Sequence, residues 1–219
     1  MLRNDNINMN DWKLILKVVG GSVFLVSMMI FGLSKMSSTA SALKADEAVL
    51  LTDARFVKEN GETKVTVVNF SDIQCPSCKT AHSETSELFN MPGVKNVLRL
   101  FPLPASLHKY ALISARAVES ARIMGKGWEM VGLMFDKQEE WSVVANPEDK
   151  YTEYAKSLGL DDKTFREKLN SAEVAKNVQA DADLAASLNL PGTPTIFVNG
   201  EQVGAPFVVD KVKQILSGK

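Results

Sequence analysis

A short stretch of mostly apolar residues closely precedes the cysteine pair of the chain. Residues 65–70 (VTVVNF) predict a buried strand, and the Cys75-Pro76-Ser77-Cys78 motif follows after four intervening residues. Pro76 fits the first turn of a helix, where its missing N–H group has no intrahelical partner to lose. The spacing therefore predicts a strand, a tight turn and a helix whose first turn carries both sulfurs. These are the only two cysteines among 219 residues.

Composition excludes some classes of function. The chain is 45% hydrophobic and 23% charged, which is ordinary for a folded globular protein. Its net charge is −1, and no block of Lys or Arg forms the basic footprint that nucleic-acid binding requires. We therefore expect no nucleic-acid partner.

The N-terminal region differs in character from the rest. Residues 14–33 are apolar apart from Lys17, whose side chain can reach the lipid headgroups, and about 20 such residues span a bilayer. Two interpretations remain open: an uncleaved membrane anchor, favoured by the length of the run, or a signal peptide cleaved near Ala42. Both predict an extracytoplasmic protein, in the periplasm or on the outer face of the cytoplasmic membrane. Disulfides persist there.

Three regions are expected along the chain. Residues 1–34 are a cytoplasmic stub with the membrane segment, 35–52 are an Ala/Ser-rich linker, and 53–219 are the folded domain. Strand patterns at 64–70, 94–103 and 195–198 surround a helical region at about 105–190, and the Asn199-Gly200 pair predicts a hairpin. This order predicts an α/β fold whose mixed sheet is interrupted by an inserted helical subdomain.

The two cysteines are expected to have unequal roles. With Cys75 as the N-cap, its sulfur can accept from the amides of Ser77 and Cys78 and lies at the positive end of the helix dipole. Such surroundings stabilise a thiolate, the form that attacks disulfides. Cys78 lies closer to the helix body and is predicted to be the buried, resolving thiol.

Other interpretations of these residues compete with redox chemistry. A purely structural disulfide between Cys75 and Cys78 would add little stability, because so short a loop removes little entropy from the unfolded chain. An exported metal-binding module would use Cys75, Cys78 and His82, with His108 as a further ligand, but the spacing matches no common zinc pattern. Asp72 fits either a proton relay or a turn or capping residue. Neither a cofactor nor a bound metal is predicted.

Several segments together resemble one family. They are 67–78 (VVNFSDIQCPSC), 101–103 (FPL), 127–130 (GWEM) and 192–200 (GTPTIFVNG). Their order is similar to that of the DsbA-like thiol:disulfide oxidoreductases of the thioredoxin superfamily, in the exported or membrane-anchored bacterial branch. The resemblance covers the chain from about residue 53 to its end, and it implies a thioredoxin fold with a helical insertion.

The resemblance also implies roles for individual residues. Cys75 is the nucleophile, Pro194 is cis and lies against the Cys-x-x-Cys motif, and the backbone of Thr193 pairs with a bound peptide. Pro76 and Ser77 support the site. The implied activity is disulfide formation in thiol-containing exported polypeptides, with a membrane redox partner that recycles the cysteines. Strongly oxidising members carry histidine where this chain has Ser77, so isomerase or reductase activity remains the alternative.

Overall fold

The computed structural model describes residues 43–218, built around a five-stranded mixed sheet. The strands are β1 (Phe56–Glu59), β2 (Val65–Ser71), β3 (Val94–Leu100), β4 (Thr195–Val198) and β5 (Glu201–Val203). Their order across the sheet is β1-β3-β2-β4-β5. Only β2 and β3 are parallel to each other; β1 is antiparallel to β3, β4 to β2, and β5 to β4.

Helices lie before, between and after these strands. They are α1 (Glu47–Leu51), α2 (Pro76–Glu84), α3 (Ala111–Ile123), α4 (Gly127–Asp136), α5 (Gln138–Trp141), α6 (Pro147–Ser157), α7 (Asp162–Leu169), α8 (Ala172–Ser187) and α9 (Val208–Leu216), with short 3₁₀ helices at Ser86–Asn90 and Ala205–Phe207. The predicted α/β thioredoxin-like fold with a helical insertion is confirmed. The helix that carries the cysteines ends at Glu84, and the first 3₁₀ helix follows it.

Strand β2 is central because both of its faces are covered. Every residue of the strand except Asn69 is buried. A parallel neighbour requires a crossover connection, which α2 and the first 3₁₀ helix supply between β2 and β3. Since β4 runs antiparallel to β2 and Phe70 pairs with Thr195, the end of β2 and the start of β4 lie at the same edge of the sheet. This topology brings the Cys-x-x-Cys motif and the Thr193-Pro194 segment together.

The predicted hairpin joins β4 to β5. Asn199 and Gly200 both have positive φ values, 47° and 80°, as a two-residue type I′ turn requires. Glycine is needed at the second position, because an added Cβ would lie 2.5 Å from the carbonyl oxygen of Ala45. The side chain of Asn199 accepts a hydrogen bond from the Thr66 amide at 2.8 Å and ties the turn to β2.

The inserted helices share a core with the cysteine motif. Its largest fully buried side chains include Trp141, Tyr151 and Phe165, and the same cluster contains Cys75 and Cys78. The indole of Trp141 donates to the carbonyl oxygen of Met134 at 2.8 Å, so its polar atom is satisfied. The insertion therefore forms one wall of the environment of the sulfurs.

Part of the segment expected to be a linker forms a helix. Asp46 caps α1 by accepting from the Ala48 amide at 2.9 Å, and Leu50 is fully buried. This short helix is hidden in an Ala-rich stretch whose composition resembles a tether. The predicted membrane segment at 14–33 and the cleavage position at Ala42 lie outside the described residues. Within 43–218, no helix is both long enough and apolar enough to cross a membrane.

A buried ion cluster connects the insertion to the sheet. Asp181 on α8 lies 2.9 Å from Nη1 of Arg99 on β3 and 2.7 Å from Nη2 of Arg55. Its second carboxylate oxygen accepts from the Leu100 amide at 3.1 Å. The Arg99 side chain is 1% exposed, and it also donates twice to the carbonyl oxygen of Leu50 on α1. Removing one charge from such a cluster leaves its partners buried and unpaired.

We expect Asp181→Ala to lower the free energy of unfolding by about 3–5 kcal/mol, measured by chemical denaturation, because Arg99 loses its buried counter-charge. Asp183→Ala is the matched control: Asp183 is an exposed carboxylate on the same helix. Its removal should change stability by less than about 0.5 kcal/mol. Equal effects of the two substitutions would contradict a structural role for the cluster.

Candidate active site

Cys75 is the N-cap of α2, as the sequence predicts. Its backbone is extended (φ −74°, ψ 121°), and Pro76 occupies the first turn. The carbonyl oxygen of Cys75 accepts from the amides of Cys78 and Lys79 at 3.1 and 3.2 Å, which starts the helix. Cys75 is 6% exposed and Cys78 is fully buried, and both are free thiols. The side chain of Ser77 is exposed beside them.

The two sulfurs share a proton unequally. A hydrogen bond from the Cys78 thiol is the largest influence on the pKa of Cys75. Because this effect outweighs burial, which raises the pKa, the pKa of Cys75 is lowered to about 5. The backbone amides of Cys78 and Ser77 lower this pKa further, although neither makes a full hydrogen bond with the sulfur. The interaction with Cys75 and burial together raise the pKa of Cys78 far above its ordinary value. At neutral pH the reduced site therefore holds a Cys75 thiolate beside a Cys78 thiol.

The Thr193–Pro194 segment lies against the nucleophile. This peptide bond is cis, as the family resemblance implies. The carbonyl oxygen of Thr193 lies 3.7 Å from Sγ of Cys75, and the Thr193 side chain lowers the pKa of both cysteines. The Thr195 hydroxyl donates to the carbonyl oxygen of Gly192 at 2.7 Å and closes the turn. Residues more than a hundred positions apart thus form one site.

Asp72 holds the loop between β2 and α2. Its Oδ1 accepts from the Gln74 amide at 2.8 Å, and its Oδ2 accepts from the Leu103 amide at 3.0 Å. Oδ2 also lies 2.7 Å from Nδ1 of His108, and the carboxylate is fully buried. Of the roles that the sequence leaves open, these hydrogen bonds fit a turn residue: Asp72 closes the turn that leads into α2, and its backbone carbonyl accepts from the Cys75 amide at 3.1 Å. His108 is its partner, a pairing that spacing alone does not reveal.

Gln138 is a supporting residue that the sequence does not reveal. It begins α5, is 4% exposed, and donates through Nε2 to the carbonyl oxygens of Ile73 and Cys75 at 2.8 and 3.2 Å. The side chain of Gln74 accepts from the Tyr110 amide at 2.6 Å. Gln138 lies within the charged run KQEE at 137–140, a pattern typical of a solvent-exposed surface. Nothing local signals that it points toward the active-site loop.

The metal-module interpretation finds no support at this site. Within 43–218, no group of three or more His, Cys, Asp or Glu side chains is placed to hold a metal ion. His82 instead packs between the rings of Phe89 and Phe135, with centroids 5.2 and 5.0 Å away. Burial lowers the pKa of His82, so it is held as a neutral ring.

Comparison with known families assigns most of the chain to one of them. The family model described as Thioredoxin matches residues 57–217. The chain belongs to the thioredoxin family. The match covers most of the chain, and it includes the strand that leads to the cysteines, the insertion and the Thr193-Pro194 segment.

Solved structures agree with this family. The chain is similar to a thioredoxin-like oxidoreductase from Silicibacter pomeroyi, with 26% identity and a TM-score of 0.64 over 80% of this chain and 97% of that one. BdbD from Bacillus subtilis, in its oxidised form, shares the fold with 23% identity and a TM-score of 0.66 over 81% and 97% of the two chains. Together with the family model, these comparisons confirm the predicted thioredoxin superfamily membership and fold. They support the predicted enzyme class, a thiol:disulfide oxidoreductase.

Curated relatives show the same module inside longer proteins. The chain is 36% identical over 159 residues to the Na(+)/H(+) antiporter NhaA 3 of Salinispora tropica, a match that covers 72% of this chain and 24% of the relative. A second antiporter, NhaA 1 of Salinispora arenicola, is 36% identical over 68% of this chain and 22% of its own length. The chain thus spans about a quarter of the length of these relatives.

We expect the alkylation rate of reduced protein to rise with pH and reach half its maximum near pH 5, because the Cys75 thiolate is the reacting form. The rate is measured with iodoacetamide and mass spectrometry, which also identifies the modified residue. In Cys78→Ala the midpoint should move to higher pH, since the strongest donor to Cys75 is lost. A midpoint near the ordinary thiol value of about 8.5 in the unsubstituted protein would contradict the assignment.

Proposed function

We propose that this thioredoxin-family protein catalyses disulfide formation in exported polypeptides through the Cys75–Cys78 pair. One observation carries the proposal: the pKa of Cys75 is lowered to about 5 while that of Cys78 is raised. A stabilised thiolate favours the reduced form of the pair, so the disulfide form accepts electrons readily. Thiol–disulfide exchange itself is the chemistry that the family and the geometry support.

The reaction begins with a disulfide between Cys75 and Cys78. A substrate thiolate attacks Sγ of Cys75, the bond between the two cysteines breaks, and Cys78 leaves as a thiolate. A second substrate thiolate then attacks the substrate sulfur of this mixed disulfide and releases Cys75, again as a thiolate. The two electrons end on the cysteine pair, and a membrane redox partner removes them.

Substrate binding uses the edge of the loop before β4. Thr193 lies beside Cys75 and presents its backbone at the end of the sheet, where an extended peptide can pair with it as an added strand. Such pairing recognises backbone rather than side chains. We therefore propose unfolded or extended thiol-containing polypeptides as the substrate class.

The proposed location is extracytoplasmic, with residues 14–33 as a membrane anchor or as a signal peptide that is cleaved near Ala42. The support is the apolar run in the sequence, which has about the length of a bilayer span. Disulfide formation also requires a compartment that does not reduce its products. Both considerations point outside the cytoplasm.

The reduction potential separates oxidant from reductase. Thioredoxin has a thiol pKa near 7 and a potential of about −270 mV, and each pKa unit of thiolate stabilisation shifts the potential by about 30 mV. A Cys75 pKa of about 5 therefore predicts a potential of about −210 mV, measured by equilibration with glutathione. Ser77→His adds a positive charge beside the thiolate and should make the potential less negative. A value near −270 mV would instead favour the reductase alternative.

Trapping in cells tests both the chemistry and the substrate class. In Cys78→Ser the resolving thiol is missing, so Cys75 should accumulate in mixed disulfides with exported polypeptides, detected on non-reducing gels and identified by mass spectrometry. Cys75→Ser is the matched control and should trap nothing and lose all turnover. Full activity of both single variants would disprove redox catalysis. Capture of cytoplasmic proteins alone would disprove the proposed location.

A further inference from the structure

A buried hydroxyl without a partner lies at the end of the strand that leads into the active site. Ser71, the last residue of β2, is 1% exposed, and its Oγ makes no hydrogen bond with any group in the part of the chain that the structure describes. Leaving a buried polar group unpaired costs about 1–3 kcal/mol. Such a group calls for an explanation outside simple packing.

The backbone around Ser71 fixes the position of this hydroxyl. Ser71 pairs with Leu100 in the parallel register, and its carbonyl oxygen accepts from the Phe101 amide at 2.9 Å. The next residue, Asp72, is held by Gln74, Leu103 and His108 as described above. Only the rotation of the side chain remains free, so the hydroxyl is a positioned donor that can turn toward a new acceptor.

The sulfur of Cys78 lies on the same side of the sheet as this hydroxyl. Leu100, whose side chain points to the same face as that of its cross-strand neighbour Ser71, belongs to the same buried cluster as Cys78. The Ser71 hydroxyl and the Asp72 amide both lower the pKa of Cys78, against burial and the interaction with Cys75, which raise it. Cys78 is fully buried in the reduced protein, so bulk water gives little stabilisation to a negative charge on its sulfur. In the reduced site the Cys78 thiol donates its proton toward the Cys75 thiolate, and a neutral thiol needs no hydrogen bond from Ser71. A Cys78 thiolate, in contrast, is stabilised by a hydrogen-bond donor.

Both directions of exchange place that charge on Cys78. When the pair is formed, Cys78 loses its proton to a base in solution, and its thiolate attacks Sγ of Cys75. The new bond between the cysteines forms as the bond from Cys75 to the substrate sulfur breaks, and the substrate leaves as a thiolate that takes up a proton. In the reverse direction Cys78 is the leaving thiolate. A buried anion with few donors forms slowly.

We propose that Ser71 is a catalytic residue whose hydroxyl donates a hydrogen bond to the Cys78 sulfur as that sulfur becomes negatively charged. The inference rests on the proposed function, because it concerns the second step of the same exchange. Thr193 also carries a buried hydroxyl without a partner in 43–218, but its side chain influences both cysteines. Ser71 therefore offers the cleaner test of the Cys78 step.

The test isolates the step in which Cys78 acts. The full-length protein is reduced, and Cys75 is converted to a mixed disulfide with 2-nitro-5-thiobenzoate, whose release reports the attack by Cys78. In Ser71→Ala the release rate at neutral pH should fall about tenfold, and its pH midpoint should rise by about one unit, as for the loss of one hydrogen bond to a charged group. Ser71→Thr keeps the hydroxyl and should restore most of the rate.

Two further measurements exclude a structural explanation. The alkylation midpoint of Cys75 should stay unchanged in Ser71→Ala, and the melting temperature should stay equal or rise, because an unpaired buried hydroxyl has been removed. Ser114→Ala is the matched control, since Ser114 is a fully buried serine whose hydroxyl donates to the Ala111 carbonyl at 2.9 Å. That substitution should leave the release rate unchanged.

The outcomes separate this inference from the proposed function. Rapid release that is the same in Ser71→Ala and the unsubstituted protein would overturn the role of Ser71 while exchange itself stands. Absence of release in the unsubstituted protein, with Cys75 modified, would overturn the exchange chemistry. A reduced rate with a falling melting temperature and an unmoved pH midpoint would make Ser71 a packing residue and overturn the inference.

Discussion

The structure of the site depends on where a negative charge can reside in a buried pair of sulfurs. Burial disfavours a thiolate at either position. Cys75 receives compensation from the Cys78 thiol, from amides at the start of α2 and from Thr193, whereas Cys78 lies deeper and supplies the proton. The unequal roles of nucleophile and resolving thiol follow from this difference in surroundings, because the two side chains are chemically identical.

The different surroundings of the two sulfurs require a rigid loop between β2 and α2. Side chains and backbone groups of the inserted region form many of the hydrogen bonds that fix this loop. Gln138 on α5 binds two carbonyl oxygens of the loop, and the Tyr110 amide binds Gln74. Asp72 binds a third segment through the amide of Leu103 and the ring of His108. A sulfur held from several directions keeps its donors aligned as charge develops, which is the physical basis of preorganisation. The insertion is therefore part of the catalytic structure rather than an appendage to the sheet.

Local patterns predicted the elements that local forces determine. The valine-rich strand β2, the capping position of Cys75 and the Asn199-Gly200 turn each follow from a short stretch of residues with clear propensities. The long-range polar contacts did not follow in this way. Gln138 lies in a charged run, Asp181 looks like a surface carboxylate on its helix, and His108 shows no sign of its pairing with Asp72. The partners of such residues are determined by tertiary packing, which a single sequence does not display.

Some buried polar atoms near the cysteines have no hydrogen-bond partner in the described part of the chain. Six buried side-chain atoms lack a partner in the described part of the chain, and two of them, the hydroxyls of Ser71 and Thr193, lower the pKa of Cys78. A sequence optimised for stability alone would fill these positions with apolar side chains, because an unpaired buried hydroxyl is destabilising. In a redox site, however, the charge moves between sulfurs during each turnover. A hydroxyl that has no acceptor in the resting site can donate to a sulfur when that sulfur becomes negatively charged. Incomplete hydrogen bonding at rest is therefore consistent with catalysis in both directions.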